Sequence, residues 1–137
     1  MTPGRNKQFT VLVIDDDPSV LATYRRLLER AGYNTLAEDD PQQVLANGYC
    51  ERPIDLVLLD YKMPGMDGLT LLANLRRREF RAPCILLSAF LNDDLRCQAT
   101  NLGVARILEK PVGVGVLRRA LDELLPLTTG RPAKATG

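Results

Sequence analysis

Three consecutive carboxylates, Asp15, Asp16 and Asp17, stand directly behind the apolar run Phe9 to Ile14 (FTVLVI). Asp60 stands behind a second run, Ile54 to Leu59 (IDLVLL), and Ser88 behind a third, Cys84 to Leu87 (CILL). Lys110, with Pro111 after it, comes shortly behind a fourth, Ala105 to Leu108 (ARIL). Carboxylates in close array repel and raise one another's pKa, and a divalent cation removes that cost. Magnesium suits such a site, because it takes one or two carboxylates together with waters and phosphate oxygens. A phosphoryl group is then the matching substrate: the cation neutralises two of its oxygens, a lysine pairs with a third and a hydroxyl donates a hydrogen bond. Attack by a carboxylate would give an aspartyl-phosphate.

Apolar runs of this length suit strands buried on both faces of a parallel sheet. Asn34 to Glu38 is more polar and suits an edge strand. Between the runs the period becomes helical. Val20, Leu21, Tyr24, Leu27, Leu28 and Ala31 share one face of a helix over Pro18 to Ala31. Asp17 is its expected N-cap, Pro18 fits the first turn and Gly32 the stop. The same reading puts helices at Pro41 to Tyr49, capped by Asp40, at Leu69 to Arg78, at Asp93 to Leu102, and at Val114 to Leu125. Five βα units with right-handed crossovers give a doubly wound α/β fold, a five-stranded parallel sheet with helices on both faces. Ligands bind beyond the carboxyl ends of the strands in such sheets. The aspartates, Ser88 and Lys110 all fall at those ends.

Composition narrows the function further. The 137 residues fit one domain. Lysine and arginine number 18 against 17 acidic residues, so net charge argues for neither nucleic-acid nor membrane attraction. The absence of histidine excludes histidine general bases and Ser-His-Asp triads. Cys50, Cys84 and Cys97 form no CxxC pair, which suits a reducing cytoplasm. No run approaches the ~20 apolar residues of a membrane span. Met1 to Gln8 lacks the apolar core of a signal peptide.

Taken together, VLVIDDDPSV, VLLDYKMPGMDGL, ILLSAF and EKPV resemble, in order and spacing, the motifs of the receiver domain of two-component response regulators. The match covers residues 8 to 126, leaving residues 1 to 7 and 127 to 137 as expected disordered flanks, the latter a tail or linker. The resemblance implies a flavodoxin-like receiver fold with Asp60 as phosphoacceptor. It implies that Asp15, Asp16, Asp60 and the backbone carbonyl of Lys62 hold Mg²⁺, with Mn²⁺ as a substitute. Ser88 would hydrogen-bond the phosphoryl group, Lys110 would pair with it, and the Lys110–Pro111 bond is cis in many members. The implied phosphodonor is a histidine kinase or histidine phosphotransfer protein. The face of the fourth helix, fifth strand and fifth helix is the expected dimer or partner surface. The domain would be no enzyme beyond its own phosphorylation and autodephosphorylation.

Other readings compete. Asp15-Asp16-Asp17-Pro18-Ser19-Val20 also resembles the nucleophile motif of haloacid-dehalogenase-type phosphatases, with Asp15 as nucleophile and Asp17 as acid/base; this leaves Asp60 unexplained. A receiver-like interaction module that is never phosphorylated is the third reading. Asp67 is a candidate cap for the third helix, and Arg76, Arg77, Arg78 and Arg81 read as a solvated helix end.

Some positions depart from the family pattern. The switch pairs the hydroxyl with an aromatic residue three positions before the lysine, and here that residue is Ile107, whose β-branching limits its rotamers. Gly113 and Gly115 should loosen the start of the fifth helix. Lys62 and Phe90, each two residues beyond a site residue, should flank the pocket mouth and lengthen the phosphoryl lifetime.

Overall fold

Strands that are apolar on both sides need cover on both faces, and the chain supplies it by alternating them with amphipathic helices. The computed structural model describes residues 8–125. The expected flanks, 1–7 and 127–137, lie outside the described residues. The strands are β1 (Thr10–Ile14), β2 (Asn34–Glu38), β3 (Leu56–Asp60), β4 (Cys84–Ser88) and β5 (Val104–Glu109). The helices are α1 (Pro18–Arg30), α2 (Pro41–Ala46), α3 (Gly68–Arg77), α4 (Asp93–Asn101) and α5 (Val114–Leu124). The sheet is parallel throughout, in the order β2-β1-β3-β4-β5. β2, the polar run, is an edge as its composition requires.

Side-chain alternation divides the core into two layers. Leu12, Ile14, Val57, Leu59 and Leu86 point to one face, where Val44 of α2, Leu72 and Leu75 of α3, and Leu95 and Ala99 of α4 cover them. Val11, Val13, Leu58, Ile85 and Leu87 point to the other, under Leu28 of α1 and Leu117 and Leu121 of α5. β1, β3 and β4 are therefore buried on both sides, the physical reason their sequences show no polar alternation.

Local capping starts each of the first four helices where the preceding loop delivers it. Asp17 accepts from the amides of Ser19 and Val20, Asp40 from Gln42, Asp67 from Thr70 and Asn92 from Leu95. Two expectations need correction. α2 stops at Ala46 rather than Tyr49, because Gly48 takes a left-handed turn (φ 71°) and Tyr49–Glu51 forms a separate 3₁₀ turn. Arg76 is not solvated. It donates to the carbonyls of Leu102 (2.9 Å), Phe80 (2.8 Å) and Ala82 (2.9 Å), tying the end of α3 to the end of α4 and the approach to β4.

Candidate functional site

All five strands end on the same edge of the sheet, so the residues that leave β1, β3, β4 and β5 meet there. Asp15 follows β1 and is 2% exposed, and Asp60 ends β3 at 5%. Ser88 ends β4, and its carbonyl accepts from the Lys110 amide at 2.8 Å, which fixes where the chain leaves β5. The Lys110–Pro111 peptide is cis. The Lys110 ammonium lies 2.7 Å from Asp60 Oδ1 and 3.7 Å from Asp15 Oδ2. These residues, with Asp16, Lys62 and Phe90 at the mouth, line a cavity of about 290 Å³.

The electrostatics follow from burial. Desolvation pushes the Asp15 and Asp60 carboxyls above the usual carboxylate value, against the pull of the Asp17 amide on Asp15 and of Lys110 on both. Desolvation alone would lower the Lys110 ammonium. Its bond to Asp60 and the nearby charge of Asp15 outweigh that, and Lys110 titrates above its ordinary value.

The donor set fits a divalent cation. Carboxylate oxygens of Asp15, Asp16 and Asp60 lie within 4.8 Å of one another. Asp15 Oδ2 is buried without a hydrogen-bond donor, although its partner oxygen accepts from the Asp17 amide at 3.0 Å. Lys110 sets one positive charge against three carboxylates, and a hard, doubly charged ion suits the remainder.

The sequence-predicted residues separate into groups. Asp15, Asp16, Asp60, Lys62, Ser88, Phe90 and Lys110 converge on the cavity. Asp17 borders it, and one oxygen of its carboxylate caps α1 by accepting from the Ser19 and Val20 amides. Ile107 sits apart, beside Leu86 in the ladder and packed on the α2–α4 layer. The Ser88 hydroxyl points into its own loop: it donates to the Phe90 carbonyl (2.7 Å) and accepts from the Phe90 amide (3.1 Å).

Gly68 matters for a reason that its place in a turn did not reveal. Its amide donates to the Tyr61 carbonyl at 2.6 Å, and a Cβ at this position would overlap the carbonyl oxygen of Asp60. The start of α3 thus presses on the backbone that carries Asp60. A glycine directly after a helix cap was the available signal.

Known proteins share the sequence pattern and the fold of this chain. The family model for the response regulator receiver domain matches residues 11–122. Sporulation initiation phosphotransferase F of Bacillus subtilis is 31% identical over 117 residues, which span 85% of this chain and 94% of that protein. The C4-dicarboxylate transport transcriptional regulatory protein DctD of Pseudomonas aeruginosa is 36% identical over 84% of this chain, which spans only 26% of its length. The receiver domain of the Francisella response regulator 1452 superposes with a TM-score of 0.78 at 27% identity, covering 85% of this chain and 96% of that one. The Vibrio cholerae chemotaxis protein CheY4 shares the fold, with a TM-score of 0.80 at 23% identity over 87% of this chain and all of that one. The chain belongs to the family of response regulator receiver domains of two-component signal transduction.

Proposed function

We propose that Asp60 accepts a phosphoryl group from a phosphohistidine on a histidine kinase or histidine phosphotransfer protein. The contact of Lys110 with Asp60, inside a cavity shared with Asp15 and Asp16, carries this reading. The P–N bond of the donor breaks as a P–O bond to an Asp60 carboxylate oxygen forms. Lys110 holds Asp60 in place and then pairs with a phosphoryl oxygen, so its charge follows the charge that moves. Asp15, Asp16, Asp60 and the Lys62 carbonyl would hold Mg²⁺, or Mn²⁺ in its place. Bound there, the ion would supply charge neutralisation to the phosphoryl oxygens. Burial excludes most water around Asp60 and strengthens each of these contacts.

The assignment of residues 8–126 to the domain, with flanks outside it, belongs to the same proposal. So does a cytoplasmic setting; among the described residues no helix is long and apolar enough to cross a membrane. The α4–β5–α5 face is the proposed surface for a homodimer, and β5 is a sheet edge there. The domain turns over no substrate beyond its own phosphoryl group.

Mass spectrometry after treatment with acetyl phosphate and Mg²⁺ tests the reading. One phosphoryl adduct on Asp60 is expected, and none on Asp60→Asn. Full labelling of Asp60→Asn, or an adduct on Asp15, would overturn it.

A further inference from the structure

α1 and α5 cover the same face of the sheet, and the cleft between them holds two joined cavities. The larger, of about 590 Å³, is walled by Val20, Tyr24 and Leu27 of α1 and by Val112, Val114 and Leu117 at the start of α5. The smaller, of about 370 Å³, is lined by Arg26 and Arg30 of α1 and by Arg118 of α5. Thr23, Leu27 and Val114 line both, so one cleft runs from an apolar end to a basic end.

The sequence explains both ends. Gly113 starts α5 without a side-chain cap, and Val114 and Gly115 follow, so this turn carries nothing long enough to close the gap. Val114 is left 64% exposed where the two cavities meet. Arg26 and Arg30 stand one helical turn apart on α1, close enough to serve one anion. No carboxylate lines either cavity. Arg118 is near Asp122 only at 3.7 Å, and among the described residues Arg26 and Arg30 form no ion pair. Lys110 reaches the apolar end, but its ammonium is committed to Asp60. Three guanidiniums gathered at one end of an apolar cleft favour a negative charge there.

We propose that the α1–α5 cleft binds an amphiphilic carboxylate of the medium-chain fatty-acid class. Ligand sites are concave, mostly apolar and of this size, with a few polar groups that fix orientation. The acyl chain fills the end walled by Tyr24 and Leu117, and removing it from water drives binding. The carboxylate accepts from the guanidiniums of Arg26, Arg30 and Arg118, whose planar donors match it. The site is distinct from the acidic cavity, with which it shares only Val20, Ala89 and Lys110 as a wall. It does not depend on phosphoryl acceptance at Asp60.

Calorimetric titration of the full chain with decanoate tests the site. Saturable binding at one site per chain is expected, with Kd below about 1 mM. Decanol, which lacks the charge, and propionate, which lacks the chain, should each bind at least about tenfold more weakly. Arg26→Gln with Arg30→Gln should weaken decanoate by about tenfold, whereas Arg25→Gln with Arg119→Gln, an equal change of net charge on exposed positions, should not. Val114→Trp fills the junction and should abolish binding, and an unchanged melting temperature shows that its fold is intact. If Val114→Trp melts early, the two arginine pairs decide alone. Absence of saturable binding, several sites per chain, equal affinity for decanol, or equal losses in the two arginine pairs would each overturn the proposal.

Discussion

Lys110 Nζ rests 2.7 Å from Asp60 Oδ1, while Asp15 Oδ2 stands a further ångström away at 3.7 Å. The ammonium is thus bonded to one carboxylate and only near the other. That asymmetry separates the two aspartates chemically: Asp60 is held and oriented, whereas Asp15 keeps a buried oxygen without a donor.

Replacing Lys110 by methionine should slow phosphoryl acceptance from acetyl phosphate by about 100-fold, the usual effect of deleting one aimed donor at a developing charge. The rate of adduct formation on Asp60 checks this. A loss of less than about threefold would remove Lys110 from the transfer step.

Burial raises Asp15 and Asp60 above their ordinary 3.8, so the neutral acids suit the metal-free fold better than the carboxylates do. The sign follows by linkage. Below the unfolded value both states are protonated and nothing is lost. As pH rises from there through the folded values, the unfolded chain ionises first and the fold loses stability. Asp15→Asn should therefore raise the melting temperature in EDTA at neutral pH and leave it nearly unchanged in acid. Lys110 acts oppositely at the alkaline end: its contribution is full below 10.5 and is lost as pH climbs through its raised folded value. Melting curves across pH, with EDTA and with Mg²⁺, give the comparison, and Mg²⁺ should stabilise the wild type chiefly at neutral pH.

Gly68 and Gly115 should respond to alanine with opposite signs. At Gly68 the new Cβ meets the Asp60 backbone, which cannot step aside, so Gly68→Ala should cost about 1–3 kcal/mol and displace Asp60. At Gly115, inside α5, nothing lies near the new Cβ, and Gly115→Ala should gain up to about 1 kcal/mol. Urea unfolding measures both.

Arg76→Met should cost about 2–4 kcal/mol, because three carbonyls lose a charged donor at once. Arg77→Met, on the exposed side of the same turn, should stay within about 0.5 kcal/mol. Equal midpoints for the two variants would show that the clamp contributes nothing.

Phe90→Ala should shorten the life of the phosphorylated form several-fold if the ring hinders the hydrolytic water at the rim. Decay of the Asp60 adduct, followed by mass spectrometry after the donor is removed, decides it. Unchanged decay would show that the ring does not gate the hydrolytic water.

Much of this was legible along the chain, because the signals are local. Asp17, Asp40 and Asp67 cap helices through amides two or three residues away, so sequence spacing alone identifies them. The unbroken apolar runs of β1, β3 and β4 state that both faces are covered, and a parallel sheet then sends Asp15, Asp60, Ser88 and Lys110 to one edge. What the tertiary structure alone decided depends on distances between residues far apart or on a choice among several acceptors. Lys110 bonds Asp60 rather than Asp15 because β5 and β3 flank β4, a matter of strand order and register. Arg76 left its expected place in solvent because three unpaired carbonyls converge within its reach, and buried carbonyls need donors. Ser88 turned to Phe90 because its hydroxyl had a nearby backbone donor and acceptor in its own loop, a competition that residue type and spacing leave open.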